Sequence, residues 1–278
     1  MKTHTIVAAL SSGLPDFQQE LAGEILTIDF SIKGTRFIGI NAGSEFRPNP
    51  SISFTVTHSA ALHANPESTL RQRWESLRQD GTVLMELDSY EFSPLYGWVE
   101  DKYGVSWQLT LQNDEQPTTT PPRPEIIPSL LFNGEQVNRA EEAINAYTSI
   151  FPHSRLNFAA RYPEDSGHAK AGSIMYADFL LADQWFIAMD SGADHNFTFS
   201  EGVSLLVECD TQEEIDHYWE ALSHVPEAEQ CGWCKDKFGV SWQIAPRNID
   251  EFVTTNIAAF TAMLSMKKID IAVLKAAQ

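Results

Sequence analysis

The chain has 278 residues, enough for two domains of ordinary size that each bury a core. With 43% hydrophobic and 11% aromatic residues it reads as a packed globular protein, not a disordered one. Its 38 acidic residues against 19 basic give a formal net charge of −19; such a surface repels phosphate backbones and anionic membranes, so neither nucleic acid nor membrane is expected as a partner.

The N-terminal stretch MKTHTIVAALSSGLPDF has one lysine and a short apolar run, too little for a signal peptide. No apolar stretch approaches the roughly 18–20 residues needed to span a bilayer. The three cysteines all fall in the second half and form no disulfide framework. The expectation is a cytoplasmic protein.

The first strands are expected within Gly23–Gly43 and at SISFTV (Ser51–Val56). A helix follows from Pro66 to about Gln79, with Asn65 as N-cap, proline in the first position and Leu70, Trp74 and Leu77 as its buried stripe. Then comes YGWVEDKYGVSWQL (Tyr96–Leu109), and after it the Pro/Thr-rich stretch QNDEQPTTTPPRPE (Gln112–Glu125), of linker composition. Beyond it, EIIPSLLF reads as a strand, and Ala140–Ile150 as a helix with Ala140, Ala143, Ile144 and Tyr147 on one face. RLNFAARY, GSIMYADFLL, QWFIAMD and VSLLVECD alternate as strands. A second helix is expected over Thr211–Ser223, opened by Asp210 with a Thr211-x-x-Glu214 capping box. CGWCKDKFGVSWQI (Cys231–Ile244) closes the set.

These elements come twice. Nine of the twelve positions 97–108 are identical to 232–243, and Gly23, Asp29, Phe30, Phe37, Ile38 and Gly43 recur without a gap at Gly172, Asp178, Phe179, Phe186, Ile187 and Gly192. The chain is a tandem duplication. It divides into an N-terminal domain (1–112), a linker (113–125), a C-terminal domain (126–246) and a helical tail (247–278). Nothing before Gly23 matches the opening strand and helix of the second copy.

LLFNGEQVNRAEEAINAYTSIFPHSRL, FIAMDSG, FSEGVSLLVECDTQEEIDHYWEAL and CGWCKDKFGVSWQI, with FIGINAG and YGWVEDKYGVSWQL in the first copy, resemble the PhnB-like branch of the vicinal-oxygen-chelate superfamily, the glyoxalase/bleomycin-resistance/dioxygenase fold. The resemblance implies an α+β fold of tandem glyoxalase-like domains built from βαβββ modules, the first module lacking its opening strand and helix. Their strands are expected to curl into a cup with a ligand site on the inner side. Members of this branch often carry a methyltransferase name. No G-x-G-x-x-G or similar glycine-rich turn is present to bring backbone N–H groups to S-adenosylmethionine, so that name draws no support from these residues.

Metal-dependent relatives take His, Gln or Glu ligands from cup-facing strand positions. Here the matching positions hold Gly39 or Ala188, Ser53 or Ser204, and Gln108 or Gln243, a poor set for a divalent cation. The eight histidines are scattered, with His153, His168 and His195 in loops or strand ends, and no pair has ligand spacing. No metal and no cofactor is expected. Cys231-Gly-Trp-Cys234 reads as packing, because residues three apart in an extended segment point to opposite faces and the first copy keeps the element without thiols. Within the doubled motif, Gly104 and Gly239 are expected to make a positive-φ turn and Asp101 and Asp236 to hold it, with Trp107 and Trp242 packing under the helices.

Alternation then sends Ser106, Gln108, Ser241 and Gln243 to the inner side. With Asn41, Asp190, Ser53 and Ser204 and the loop aromatics Phe46 and Phe197, they make the expected ligand site. The reading is a metal-free small-molecule binding protein, expected as a homodimer. The alternative is an enzyme acting on a small carbonyl or phosphonate-like metabolite, or a structural dimer with a filled cup. Asp190 is the expected base in the second half, with Asn41 as its inert counterpart; a raised Asp190 pKa would favour the enzyme. The sheet edge left by the missing strand is expected to be covered by the tail, by the other half or by a second chain.

Overall fold

The computed structural model describes residues 3–4, 27–41, 46–112, 119, 121–253 and 256–277. The sequence readings at Gly23 and Gly43, at most of THTIVAAL and at residues 113–118 of the linker lie outside them. Among the described residues the strands and α-helices in chain order are β1 (Thr3–His4), β2 (Thr27–Ile32), β3 (Thr35–Ile40), β4 (Ile52–His58), α1 (Pro66–Leu77), β5 (Thr82–Tyr90), β6 (Ser93–Glu100), β7 (Ser106–Leu111), β8 (Ile126–Phe132), α2 (Ala140–Ile150), β9 (Arg155–Arg161), β10 (Ile174–Leu181), β11 (Gln184–Asp190), β12 (Ser204–Cys209), α3 (Gln212–Leu222), β13 (Trp233–Lys235), β14 (Ser241–Pro246), α4 (Ile249–Val253), α5 (Ile257–Leu264) and α6 (Ile271–Ala276). No helix among the described residues is long and apolar enough to cross a membrane.

The chain forms two compact units. One comprises Met1–Ile32, Arg36–Phe46 and Val203–Gln278; the other comprises Lys33–Thr35 and Arg47–Gly202. The sequence copies and the spatial units thus divide the chain in different places. The second unit takes β4–α1–β5–β6–β7 from the first copy and β8–α2–β9–β10–β11 from the second.

In that second unit the eight strands make one sheet in the order β5-β6-β7-β4-β8-β11-β10-β9. Each βαβββ module pairs its first strand with its last in parallel, β4 with β7 and β8 with β11. The modules meet where β4 runs antiparallel to β8, Ser53 opposite Ser129 and Ile52 opposite Leu130. Register alone assigns the faces, since paired residues share a side. Phe54, Trp107, Leu109, Leu130, Ala188 and Asp190 fall on one side. Both helices pack there: Leu70 and Trp74 of α1 lie on Leu95, Val99 and Leu109. Gly97 is required at that contact, because a Cβ on it would come within 2.6 Å of the Trp74 ring. The helix begins at Pro66 as expected. Asn65 holds the N-cap position through its carbonyl, which takes the Thr69 N–H, and not through its side chain.

The first unit contains β1-β2-β3 and a separate sheet β12-β14-β13. β1 pairs antiparallel with β2, as β9 pairs with β10. Lys33 and Gly34, both at positive φ, make the two-residue turn between β2 and β3. The cap of α3 is Thr211, whose hydroxyl takes the Glu214 N–H, while the Glu214 carboxylate reaches back to the Asp210 N–H. Thr211 thus caps the helix as expected, but the Glu214 carboxylate takes the N–H of the residue before the cap, so only half of the expected box is formed. The tail carbonyls of Met266 and Lys267 accept the Cys231 and Gly232 N–H groups at the entry to β13, and Gln212 binds the Ile269 carbonyl and the Ile271 N–H.

Candidate functional site

The doubled motif builds the same turn in each unit. One oxygen of Asp101 accepts Tyr103 N–H (2.9 Å) and Val105 N–H (3.0 Å), and the other accepts the Trp107 indole (2.9 Å). Asp236 repeats this with Phe238, Val240 and the Trp242 indole at 2.8, 3.0 and 2.8 Å. Gly104 and Gly239 sit at φ +84° and +88°. This turn holds β7 and β14 so that their tryptophans face the helices and their serine and glutamine face the other way.

On the side opposite the helices, the second unit has a polar half. Ser53, Thr55 and Thr57 on β4 lie beside Ser106, Gln108 and Thr110 on β7, and Tyr96 and Trp98 on β6 complete the row. The Gln108 amide donates to Ser53 Oγ at 2.7 Å and accepts the Tyr96 hydroxyl at 2.9 Å. Trp98 donates its indole N–H to Ser106 Oγ (2.7 Å), and Thr55 and Ser129 share a hydrogen bond of 2.7 Å. Burial raises the Tyr96 phenol far above its ordinary range, so it stays a neutral donor. Tyr90 and Phe92 meet the Tyr96 ring edge-on at 5.7 and 5.0 Å, and Phe92 is exposed. Glu100 shares this face opposite Ser106, and burial, then the neighbouring Asp101, raises its carboxyl pKa.

The other half of the face is apolar. Ile127, Leu180, Trp185 and Ile187 form a cluster with Tyr176 and Met189 against it. At its margin Arg123 stacks on Trp185 (4.8 Å), pairs with Asp178 at 2.5 Å and reaches the Tyr176 hydroxyl, while Asn157 takes the second Asp178 oxygen. The ion pair is satisfied on both sides, as burial requires.

The expected site residues separate accordingly. Ser53, Ser106 and Gln108 come together on this face. Ser204, Ser241 and Gln243 share a face of β12 and β14 in the first unit, where Trp233 donates to Ser204 Oγ at 3.4 Å. Asn41 and Phe46 also belong to that unit and are exposed. Asp190 lies on the helix side of the sheet: its oxygens accept Ala140 N–H (3.1 Å) and Ile174 N–H (2.9 Å), and it anchors the start of α2. Its pKa is raised by burial against the pull of those backbone donors. A carboxylate so engaged at a helix N-terminus is a cap, and its raised pKa needs no substrate to explain it. Phe197 packs at a tilt against the His195 ring (4.7 Å between centroids) in the loop after β11. Ala188, one of the positions matched to a metal ligand, also points to the helices.

Tyr96, Trp98, Thr55 and Ser129 are absent from the sequence-derived site. Tyr96 and Trp98 could have been found, since they alternate on the strand that precedes Gln108. Thr55 could have been found the same way, two residues on from Ser53, but Ser129 could not, because the β4–β8 pairing joins different copies.

The fit to a metal can be judged from donor chemistry. The positions opposite the helices hold hydroxyls, the Gln108 and Asn157 amides, apolar side chains and two separate carboxyls, Glu100 opposite Ser106 and Asp178 paired with Arg123, and no group of three His, Cys, Asp or Glu among the described residues is placed to hold an ion. These residues do not fit the divalent cation of the metal-dependent relatives. The thiols carry no redox signature: burial raises Cys231 and pushes Cys234 up to about 12.

A family model described as 3-demethylubiquinone-9 3-methyltransferase matches residues 6–110 and 124–245. Among solved structures, a PhnB protein of Bacillus cereus bearing the same methyltransferase title is 40% identical, over 42% of this chain and 94% of its own, with a TM-score of 0.36. A protein of Staphylococcus aureus is 27% identical over 43% of this chain and 92% of its own, TM-score 0.18. Glyoxalase I of Zea mays covers 80% of this chain and 78% of its own at 12% identity, TM-score 0.46. No curated protein matches.

Proposed function

The chain belongs to the PhnB-like family that carries the 3-demethylubiquinone-9 3-methyltransferase description, and from that premise we propose that it binds a small organic molecule, without a metal, on the helix-free face of its second unit. The observation that carries this reading is the Tyr96–Gln108–Ser53 chain. The resemblance matches two of its members, Ser53 and Gln108, to ligand positions of metal-dependent relatives, and the chain offers neutral donors and acceptors beside aromatic and aliphatic surface. Small-molecule sites have this composition: mostly apolar walls with a few fixed polar groups. Methyl transfer finds no support, because the chain has no glycine-rich turn for the methyl donor.

Native mass spectrometry of the purified protein, repeated after denaturation, tests the reading. An organic mass lost on denaturation, or binding of an added metabolite that vanishes in Gln108→Leu, supports it. A metal ion released in a one-to-one ratio overturns it.

Glu100 favours a second reading. A carboxyl with a raised pKa beside Ser106 is a candidate acid–base group for chemistry on a small carbonyl or phosphonate-like metabolite. Turnover of such a compound that is lost in Glu100→Gln while binding persists would establish it over simple binding.

A further inference from the structure

The loop after β11 holds a second arrangement. Ser191 Oγ and His195 Nε2 are 2.7 Å apart. From this geometry we propose that Ser191 and His195 form a serine–histidine pair that accepts an acyl group from activated esters.

Three features support a built arrangement. The serine is fixed on both sides: its N–H donates to the Phe132 carbonyl at 2.8 Å, and its Oγ accepts the Ala193 N–H at 3.2 Å. The loop is clamped from outside, since His168 N–H donates to the Gly192 carbonyl at 3.0 Å and a Cβ on Gly192 would fall 2.3 Å from the Ser166 carbonyl oxygen. The imidazole is oriented by the Phe197 ring, 4.7 Å away. Burial lowers the His195 pKa, with Asp194 opposing, so the ring is a neutral base at neutral pH. The pair is not part of the duplicated framework. The gap-free alignment of the copies puts Ala42 at the place of Ser191, and the same offset puts Phe46 at the place of His195.

The chemistry balances with an ester and water alone. Ser191 Oγ attacks the ester carbonyl carbon while its proton passes to His195 Nε2. The bond to the alcohol oxygen breaks, His195 Nε2 gives its proton to that oxygen and the alcohol departs, leaving an acyl-serine and a neutral imidazole. Water then attacks the acyl carbon as His195 takes its proton; the bond to Ser191 Oγ breaks, Oγ recovers the proton from His195, and the acid is released.

The test is incubation of the full chain with p-nitrophenyl acetate, followed by peptide mapping of the acetyl group. The expected result is an acetyl on Ser191 that is absent in Ser191→Ala and slowed about 100-fold in His195→Gln. In the wild-type chain, the labelling rate should fall as pH drops through the depressed His195 pKa, which needs no variant to measure. No acetyl on Ser191, or equal labelling in His195→Gln, overturns the proposal.

Discussion

Replacing His58 with glutamine should flatten the acid sensitivity of the second unit. His58 ends β4 with none of its surface exposed, and its Nε2 lies 3.1 Å from Arg73 Nη1. A guanidinium only donates, so Nε2 must accept and the ring proton sits on Nδ1, which makes no well-aligned hydrogen bond. Protonation would place an imidazolium against Arg73 and the stacked His63 ring in a buried setting. Burial first, then Arg73 and His63, hold the pKa down to about 4 from 6.5; the Thr110 backbone and Glu125 oppose only weakly. Between these values the unfolded chain binds the proton and the folded chain does not. Stability is therefore intact above pH 6.5 and falls as the pH drops toward 4. The drop from 6.5 to about 4 corresponds to a loss of about 3 kcal/mol. Glutamine keeps an acceptor for Arg73 and does not titrate. Urea unfolding of both proteins from pH 7.5 to 4, followed by tryptophan fluorescence, should show the wild type losing about 3 kcal/mol more than the variant. Parallel stability curves would refute the reasoning.

Asp236→Ala removes one acceptor from two backbone N–H groups and a buried indole, and should cost about 3 kcal/mol in chemical denaturation, because charged hydrogen bonds are worth about 1.5–3 kcal/mol each. Asp101→Ala, whose counterpart indole is less buried, should cost less in the same assay. Gly97→Ala drives a methyl into Trp74 and should lower stability by about 1–3 kcal/mol, read as a drop in thermal midpoint. Asp190→Ala leaves the start of α2 uncapped and should cost about 1–2 kcal/mol, with faster amide exchange at Ala140 and Ile174 and no change in ligand binding.

The turn chemistry was readable in the sequence because its parts are local: an aspartate, a glycine three residues on, and a tryptophan at fixed spacing. The module fold was readable for the same reason, through the repeat. The grouping of modules was not. The repeat shows that Ser106 and Ser241 are equivalent, but it carries no information that β4 of one copy pairs with β8 of the other. The face of Asp190 was hidden by a similar limit. Alternation along QWFIAMD puts Ile187 and Met189 opposite Asp190, yet only the capping bond to Ala140 identifies which side holds the helix. The edge left by the missing strand was expected to be covered by the tail, by the other half or by a second chain; the tail carbonyls of Met266 and Lys267 meet Cys231 and Gly232, where the second copy has no counterpart to β5 among its strands.

The most direct measurement follows the Trp98 indole and Gln108 amide protons by NMR while divalent cations, and then a library of small organic metabolites, are added. The account predicts no saturable change with cations and a saturable shift of both signals with an organic ligand. Saturable shifts on adding a cation, or silence across the organic library, would contradict it.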